Sequence, residues 1–125
     1  MIKAMIDVLK TIRSFRHAGR GVAGLFRFEN NAKVHLLAAV VVVSAGIWLK
    51  IDRVDWAIII TQIGLVFAAE AINTALEKLC DLVQPDYHPQ VKVIKDVSSG
   101  AVLILAITAV IVAILIFTPN IMERR

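Results

Sequence analysis

Three side chains stand out before any element is drawn. Glu70 follows an uncharged stretch from Ala57 to Ala69 and precedes Ala71-Ile72. Asn73 and Glu77 follow it at spacings of three and four, so all three share one face of a helix. A carboxylate inside a membrane span costs about 2.5–3.5 kcal/mol on insertion scales, and such groups face a bundle interior or a polar cavity. Glu70 alone reads either as a structural carboxylate paired to a neighbouring helix or as a proton acceptor or metal ligand. Its company favours the second. Glu70 and Glu77 are about 10 Å apart along a helix axis, too far for one metal to be held tightly by both. The pattern suits a division of labour, with a metal at Glu77 and a lipid headgroup near Glu70. Oxygen-only ligands favour Mg²⁺, which sits on one or two carboxylates plus substrate phosphates. Asn73 can orient a carboxylate or a phosphate.

A second group comprises Asp86, Tyr87 and His88, followed by Lys95 and Asp96. Lys95 can neutralise a phosphate as a point charge. Asp96 can accept a hydrogen bond from a ribose, a base amine or Lys95 itself. The bland reading of Lys95-Asp96 is an interfacial charge pair. Glu29, with Lys33, can add a second carboxylate to a metal beside Glu77. Two patterns are set aside. Gly19-Arg20-Gly21-Val22-Ala23-Gly24 fits G-x-G-x-x-G, but no strand precedes it and no βαβ unit surrounds it. His17, His35 and His88 lack metal-ligand spacing, and no Ser/His/Asp set is apparent.

The elements that must carry these residues are apolar. The 125 residues are 58% hydrophobic, above the about 45–50% usual in soluble domains, and those side chains fall in blocks. Span one covers about Val34 to Leu49, with its helix starting near Glu29. Its β-branched run Val40–Val43 is helical in lipid, where an open strand would leave backbone groups unpaired. Span two runs from about Trp56 to Ala75 and continues as helix to Leu82. A Pro-bounded loop, Gln84 to Pro89, follows. Span three begins near Asp96 and ends at Phe117, before Pro119. Trp48 and Trp56 flank the turn at Lys50–Asp55 and mark one membrane surface.

Residues 1–28 carry a helical period, with Ile2, Met5, Ile6, Leu9 and Ile12 on one side and Lys3, Asp7, Lys10, Arg13, Ser14 and His17 on others. This is an amphipathic helix for the membrane surface. Gly19, Gly21 and Gly24 each cost about 1 kcal/mol relative to Ala, and a bend or break is expected there. The chain thus reads as a single domain, with a surface helix at 1–28 and a three-helix transmembrane part at 29–125. The net charge is +4, and seven of the fourteen Lys and Arg lie before position 34. Lipid headgroups, not nucleic acid, are the fitting partner. Lys and Arg number ten on the side of the N-terminus and the loop 77–96 and four on the other, which puts the former in the cytoplasm and the C-terminus outside. Cys80 stands alone, so no internal disulfide forms, and it reads as a small core residue. No signal-peptide pattern leads into an A-x-A-like site, so the N-terminus is expected to be kept.

Glu70-Ala71-Ile72-Asn73-Thr74-Ala75-Leu76-Glu77, with Asp86-Tyr87-His88 and Lys95-Asp96-Val97-Ser98-Ser99-Gly100-Ala101-Val102, resembles the signature of the prokaryotic diacylglycerol kinase family. The resemblance covers nearly the whole chain. Asn73-Thr74-Ala75 and Pro85-Asp86-Tyr87-His88-Pro89 look more like its undecaprenol kinase branch, typical of Gram-positive bacteria. It implies an all-α integral membrane protein of the bacterial cytoplasmic membrane, with three transmembrane helices after an N-terminal surface helix. It also implies a homotrimer with composite active sites shared between subunits. By the resemblance Glu70 is the catalytic base, and Glu29 and Glu77 hold Mg²⁺. Asn73, Asp86, Tyr87, His88, Lys95 and Asp96 contact or orient ATP, with Lys10 and His17 at nucleotide-contacting positions of the surface helix. Ser99 falls near the lipid substrate.

The reaction so implied transfers the γ-phosphoryl group of ATP to a lipid hydroxyl, undecaprenol or, alternatively, diacylglycerol. A small proton-coupled carrier with Glu70 as its proton site is the rival of another class. Such a carrier has no need of Glu77, Asn73 and Lys95-Asp96 together at one membrane face. A purely structural membrane protein leaves the buried carboxylate unexplained.

Overall fold

The computed structural model describes residues 5–124. Ile2, Lys3 and Arg125, which enter the sequence arguments, lie outside the described residues. Four α-helices and no strand make up the described residues: α1, Val8–Phe28; α2, Asn30–Leu49; α3, Arg53–Val83; and α4, Pro89–Met122. The last three are each long and apolar enough to cross a membrane.

Helix α1 starts later than the hydrophobic period suggests. Asp7 is its N-cap and accepts from the Lys10 backbone N–H at 3.0 Å, which satisfies one of the free donors of the first turn. Met5 and Ile6 therefore precede the helix. The expected bend at Gly19, Gly21 and Gly24 is not found: α1 is unbroken to Phe28. A helical glycine costs conformational freedom but keeps both its backbone hydrogen-bonding groups. The end of α1 is also held by packing. Leu25 is buried, and Phe26 meets Phe67 of α3 edge-on, ring centroids 5.0 Å apart. Every residue from Val8 to Ala23 is exposed. Val8, Ile12, Phe15, Val22 and Phe26 recur on one side of the cylinder, and Arg13, Arg16, His17, Arg20 and Arg27 on the other.

The chain turns at Glu29, whose backbone is extended, and enters α2. Helix α2 ends in a Schellman motif. Lys50 takes the left-handed conformation (φ 53°), Ile51 N–H donates to the Gly46 carbonyl and Lys50 N–H to that of Ile47, each at 3.2 Å. Gly46 lies under Trp56, and a Cβ there would come within 2.9 Å of the indole. Leu49, Ile51, Ile59 and Ile116 form the core at this end, with Val42, Trp56 and Phe117 packed on it. Arg124 lies over Trp48, 5.5 Å from the ring centroid.

Helix α3 begins at Arg53, three residues before Trp56, because Asp52 caps it by accepting from Asp55 N–H at 2.9 Å. It has 31 residues, about 46 Å, against about 30 Å of hydrocarbon. Its far end therefore projects beyond the bilayer.

Helix α4 corrects both expected boundaries of span three. It begins at Pro89, seven residues before Asp96, and continues to Met122, past Pro119. Hydropathy marks only the apolar middle. At the start, Pro89 occupies the first turn, where its missing N–H is no loss, and His88 caps it by accepting from Gln90 N–H at 3.2 Å. At the end, Glu123 N–H bonds the Pro119 carbonyl at 3.0 Å and the Asn120 amide donates to the Ile116 carbonyl at 2.7 Å. One more turn is satisfied despite the proline.

Candidate functional site

The site is built where α3 leaves the bilayer. Counting from Trp56 at one interface, Glu70 lies about 21 Å along α3 and Glu77 about 31 Å. Glu70 is thus inside the hydrocarbon near its second boundary, and Glu77 is at that boundary. Glu70 is 2% exposed, the largest fully buried side chain among the described residues. Asn73 and Thr74 are buried with it.

The shared face expected of Glu70, Asn73 and Glu77 forms. The Asn73 side-chain amide donates to Glu77 Oε1 at 3.3 Å. That bond fixes Asn73 with its Oδ1 inward, buried and without a donor. Thr74 Oγ1 is also buried without a partner. Buried polar atoms are nearly always paired, so these two mark a surface made to receive another group. Glu29, half-buried at the α1–α2 turn, stands 3.9 Å from Lys78 Nζ, and both Glu29 and Glu77 lie within electrostatic reach of Glu70. Among the described residues no three of His, Cys, Asp and Glu come together as a closed metal site. Two carboxylates at the membrane boundary fit a cation that takes its other ligands from phosphate and water, the coordination Mg²⁺ favours.

His35 was set aside in the sequence and is brought in by the fold. Its Nε2 is 3.9 Å from Glu70 Oε2, with the His35 side chain 22% exposed. Thirty-five positions separate the two, so no spacing could pair them. Only the packing of α2 on α3 does.

The second group gathers at the α3–α4 loop. Asp86, Tyr87, His88, Lys95 and Asp96 line one open cavity of about 300 Å³. Tyr87 is 77% exposed. The Lys95–Asp96 charge pair of the bland reading is not present. Lys95 donates to Asp81 of α3, while Asp96 accepts from Lys92 at 2.6 Å. Neighbours on a helix diverge by about 100°, whereas positions four apart stack. Asp81 lies one turn beyond Glu77 on α3, so the ion pair ties the loop cavity to the carboxylate face.

Not every expected residue joins. Ser99 is exposed, whereas its neighbour Ser98 is buried and lines a groove with Asn73. Lys10 and His17 are exposed on α1, about 28 Å and 18 Å along the helix axis from Glu29. Among the described residues no hydrogen bond or ion pair links either side chain to α3.

The pattern of the family described as prokaryotic diacylglycerol kinase matches residues 16–117. The chain belongs to that family. It is 38% identical over 114 residues to the undecaprenol kinase of Bacillus subtilis (strain 168), covering 91% of this chain and 93% of that protein. It is 37% identical over 111 residues to a diacylglycerol kinase of Synechocystis sp. (strain ATCC 27184 / PCC 6803 / Kazusa), covering 88% of this chain and 63% of the other. With the diacylglycerol kinase of Escherichia coli (strain K12) the identity is 28% over 102 residues, covering 82% and 84% of the two chains. The matched stretch contains every site residue discussed except Lys10. The chain is a membrane lipid kinase, as the resemblance implied.

Proposed function

We propose that this chain phosphorylates a polyprenol of the undecaprenol type with ATP and Mg²⁺, in the cytoplasmic membrane. The observation that carries the chemistry is the buried Glu70, one and two turns from the Asn73–Glu77 pair and faced by His35. The substrate reading is supported by the match to the Bacillus subtilis undecaprenol kinase, which spans nearly all of both chains.

Phosphoryl transfer asks a protein for positioning and for charge stabilisation. Glu70 accepts the proton of the lipid hydroxyl as the hydroxyl oxygen attacks the γ-phosphorus, and the bond from that phosphorus to the β–γ bridging oxygen breaks to release ADP. A lipid alcohol would present its hydroxyl just inside the boundary, the depth inferred for Glu70. The acyl or prenyl chain never leaves apolar solvent. Glu29 and Glu77 hold Mg²⁺, which when bound offsets the charge of the β- and γ-phosphates. Asn73 orients Glu77 and offers its free oxygen to the acceptor or the nucleotide. Lys95, released from Asp81, adds a point charge to the phosphates, and Asp86, Tyr87, His88 and Asp96 line the nucleotide's place in the loop cavity. Ser99 is assigned to the lipid side. The cation-rich face of α1 lies on anionic headgroups, with the N-terminus and the α3–α4 loop in the cytoplasm.

Lys10 and His17 cannot reach this site along their own helix. Their nucleotide role requires α1 of one copy to lie over α3 of another, in a homotrimer. Purified protein should label a polyprenol from radiolabelled ATP, lose that activity when Mg²⁺ is chelated, and turn over diacylglycerol more slowly. Faster labelling of diacylglycerol would reassign the substrate. Proton transport in vesicles without any lipid phosphorylation would favour the carrier.

A further inference from the structure

Between α2, α3 and α4 lies a partly enclosed cavity of about 90 Å³. Its lining includes His35 and Ala39 of α2, Gln62 and Phe67 of α3, and Ala109 and Ala113 of α4. His35 and Gln62 are its only polar lining side chains. On α3 the lining runs from Ile59 to Phe67, which is the stretch between Glu70 and the Trp56 end. The cavity thus lies next to Glu70, from which Phe67 is one turn away on α3, and extends from there toward the middle of the bilayer. His35 belongs to both, lining the cavity and standing 3.9 Å from Glu70. We propose that this interhelical cavity receives the first branched hydrocarbon unit of a single-chain prenyl alcohol whose hydroxyl is at Glu70. This rests on the lipid kinase reading and narrows it.

Three observations favour that occupant. The first is direction: a lipid with its hydroxyl at the membrane boundary extends its chain toward the bilayer centre, where the cavity lies. The second is size. An engineered apolar cavity of about 150 Å³ binds benzene and stays dry when empty. A cavity of about 90 Å³ admits a short branched piece of one chain, not two acyl chains leaving adjacent carbons. The third is polarity. A diacylglycerol carries two ester groups close to its hydroxyl, and their carbonyls need donors. Ten of the twelve lining side chains are apolar and carry no donor, which leaves only His35 and the Gln62 amide for two carbonyls. A prenyl alcohol brings only hydrocarbon and methyl branches to the alanines.

The test fills the cavity from two helices. Ala39→Leu and Ala113→Leu in the full-length protein are assayed with geranylgeraniol and with ATP. A methylene too many in an apolar pocket changes kcat/KM by about 10–200-fold. Each variant should lose at least tenfold toward the prenyl alcohol, with the KM for ATP unchanged and thermal unfolding in detergent unchanged or raised. A mere packing void would gain the stability and keep the activity. Full prenyl-alcohol turnover by both folded variants overturns the proposal. A diazirine-bearing geranylgeraniol on the wild-type protein keeps the question decidable if either variant misfolds. Adducts on Ala39, Ala109 or Ala113, competed by unlabelled geranylgeraniol, support the cavity. Adducts confined to outward-facing residues such as Leu103 and Ile104 overturn it. If the wild-type protein phosphorylates no lipid alcohol, the kinase reading itself fails, and the labelling pattern still decides whether the cavity takes a prenyl chain.

Discussion

Glu70 is isolated from water but not from partners, and each partner is assigned a different task. A general base contributes about 10²–10⁴-fold to a proton-transfer step. Glu70→Gln keeps the size and loses the charge, so kcat should fall by about that factor while ATP binding, read by nucleotide titration, is retained. Full turnover by the purified variant would remove Glu70 from the chemistry. Glu77→Gln removes one of the two carboxylates proposed to hold the cation. It should abolish activity at ordinary Mg²⁺ and recover part of it at high Mg²⁺, a response that Glu70→Gln should lack. His35 is proposed as a positioning residue, because it faces Glu70 across 3.9 Å. His35→Ala removes the side chain that faces Glu70 at 3.9 Å, and should lower kcat by about tenfold or more with the KM for ATP held. His35→Gln, which can still donate a hydrogen bond, should restore part of that loss. Equal activity in both variants and the wild type would reduce His35 to packing. The carboxylate face was legible because Glu70, Asn73 and Glu77 are neighbours on one helix, and helical spacing is a local property. His35 and Asp81 were not, because their partners come from other helices and nothing in the linear order pairs them.

Elements were legible where lipid dictates them. Three apolar blocks gave three helices, since a span must satisfy its own backbone. Boundaries depend on caps, which hydropathy does not register. Asp7, Asp52 and His88 each start a helix by accepting a backbone N–H, and α4 gained seven residues at its start in this way. Those residues matter for function, because they carry Lys92 and Lys95 out to the loop cavity and turn Lys95 onto Asp81. The glycines of α1 failed as break signals, since a propensity of about 1 kcal/mol per residue is a weak preference and a helical glycine keeps both its backbone hydrogen-bonding groups. Gly46 is the glycine with a steric duty: it lets Trp56 close the α2–α3 corner. A methyl there must displace the indole. Gly46→Ala should therefore destabilise the protein by about 1–3 kcal/mol, read as a lowered unfolding midpoint in detergent. The same change at Gly64, where an added Cβ meets nothing within 4 Å, should be neutral or stabilising. Equal effects at both positions would show that the corner is not tightly packed.

Across the whole molecule, one chain leaves its own chemistry incomplete. Asn73 Oδ1 and Thr74 Oγ1 are buried without donors. The first four turns of α1 are exposed along their whole length. Lys10 and His17 lie far along α1 from Glu29 in the same chain. The proposed trimer answers these together, if α1 of one copy covers the α3 face of the next. Each active site would then need Glu70 from one chain and Lys10 and His17 from another. Two inactive proteins can test this: one carrying Glu70→Gln, the other carrying Lys10→Ala with His17→Ala. Each alone should be nearly silent as a homo-oligomer. Unfolded together and reassembled in lipid, they form mixed oligomers in which some sites draw both intact parts from different chains. Activity should then rise above either parent and follow the mixing ratio, peaking near equal amounts. If each site were built within one chain, every mixed site would still carry one defect. Activity would then never exceed the mean of the two parents at any ratio, and the shared-site arrangement would have to be given up.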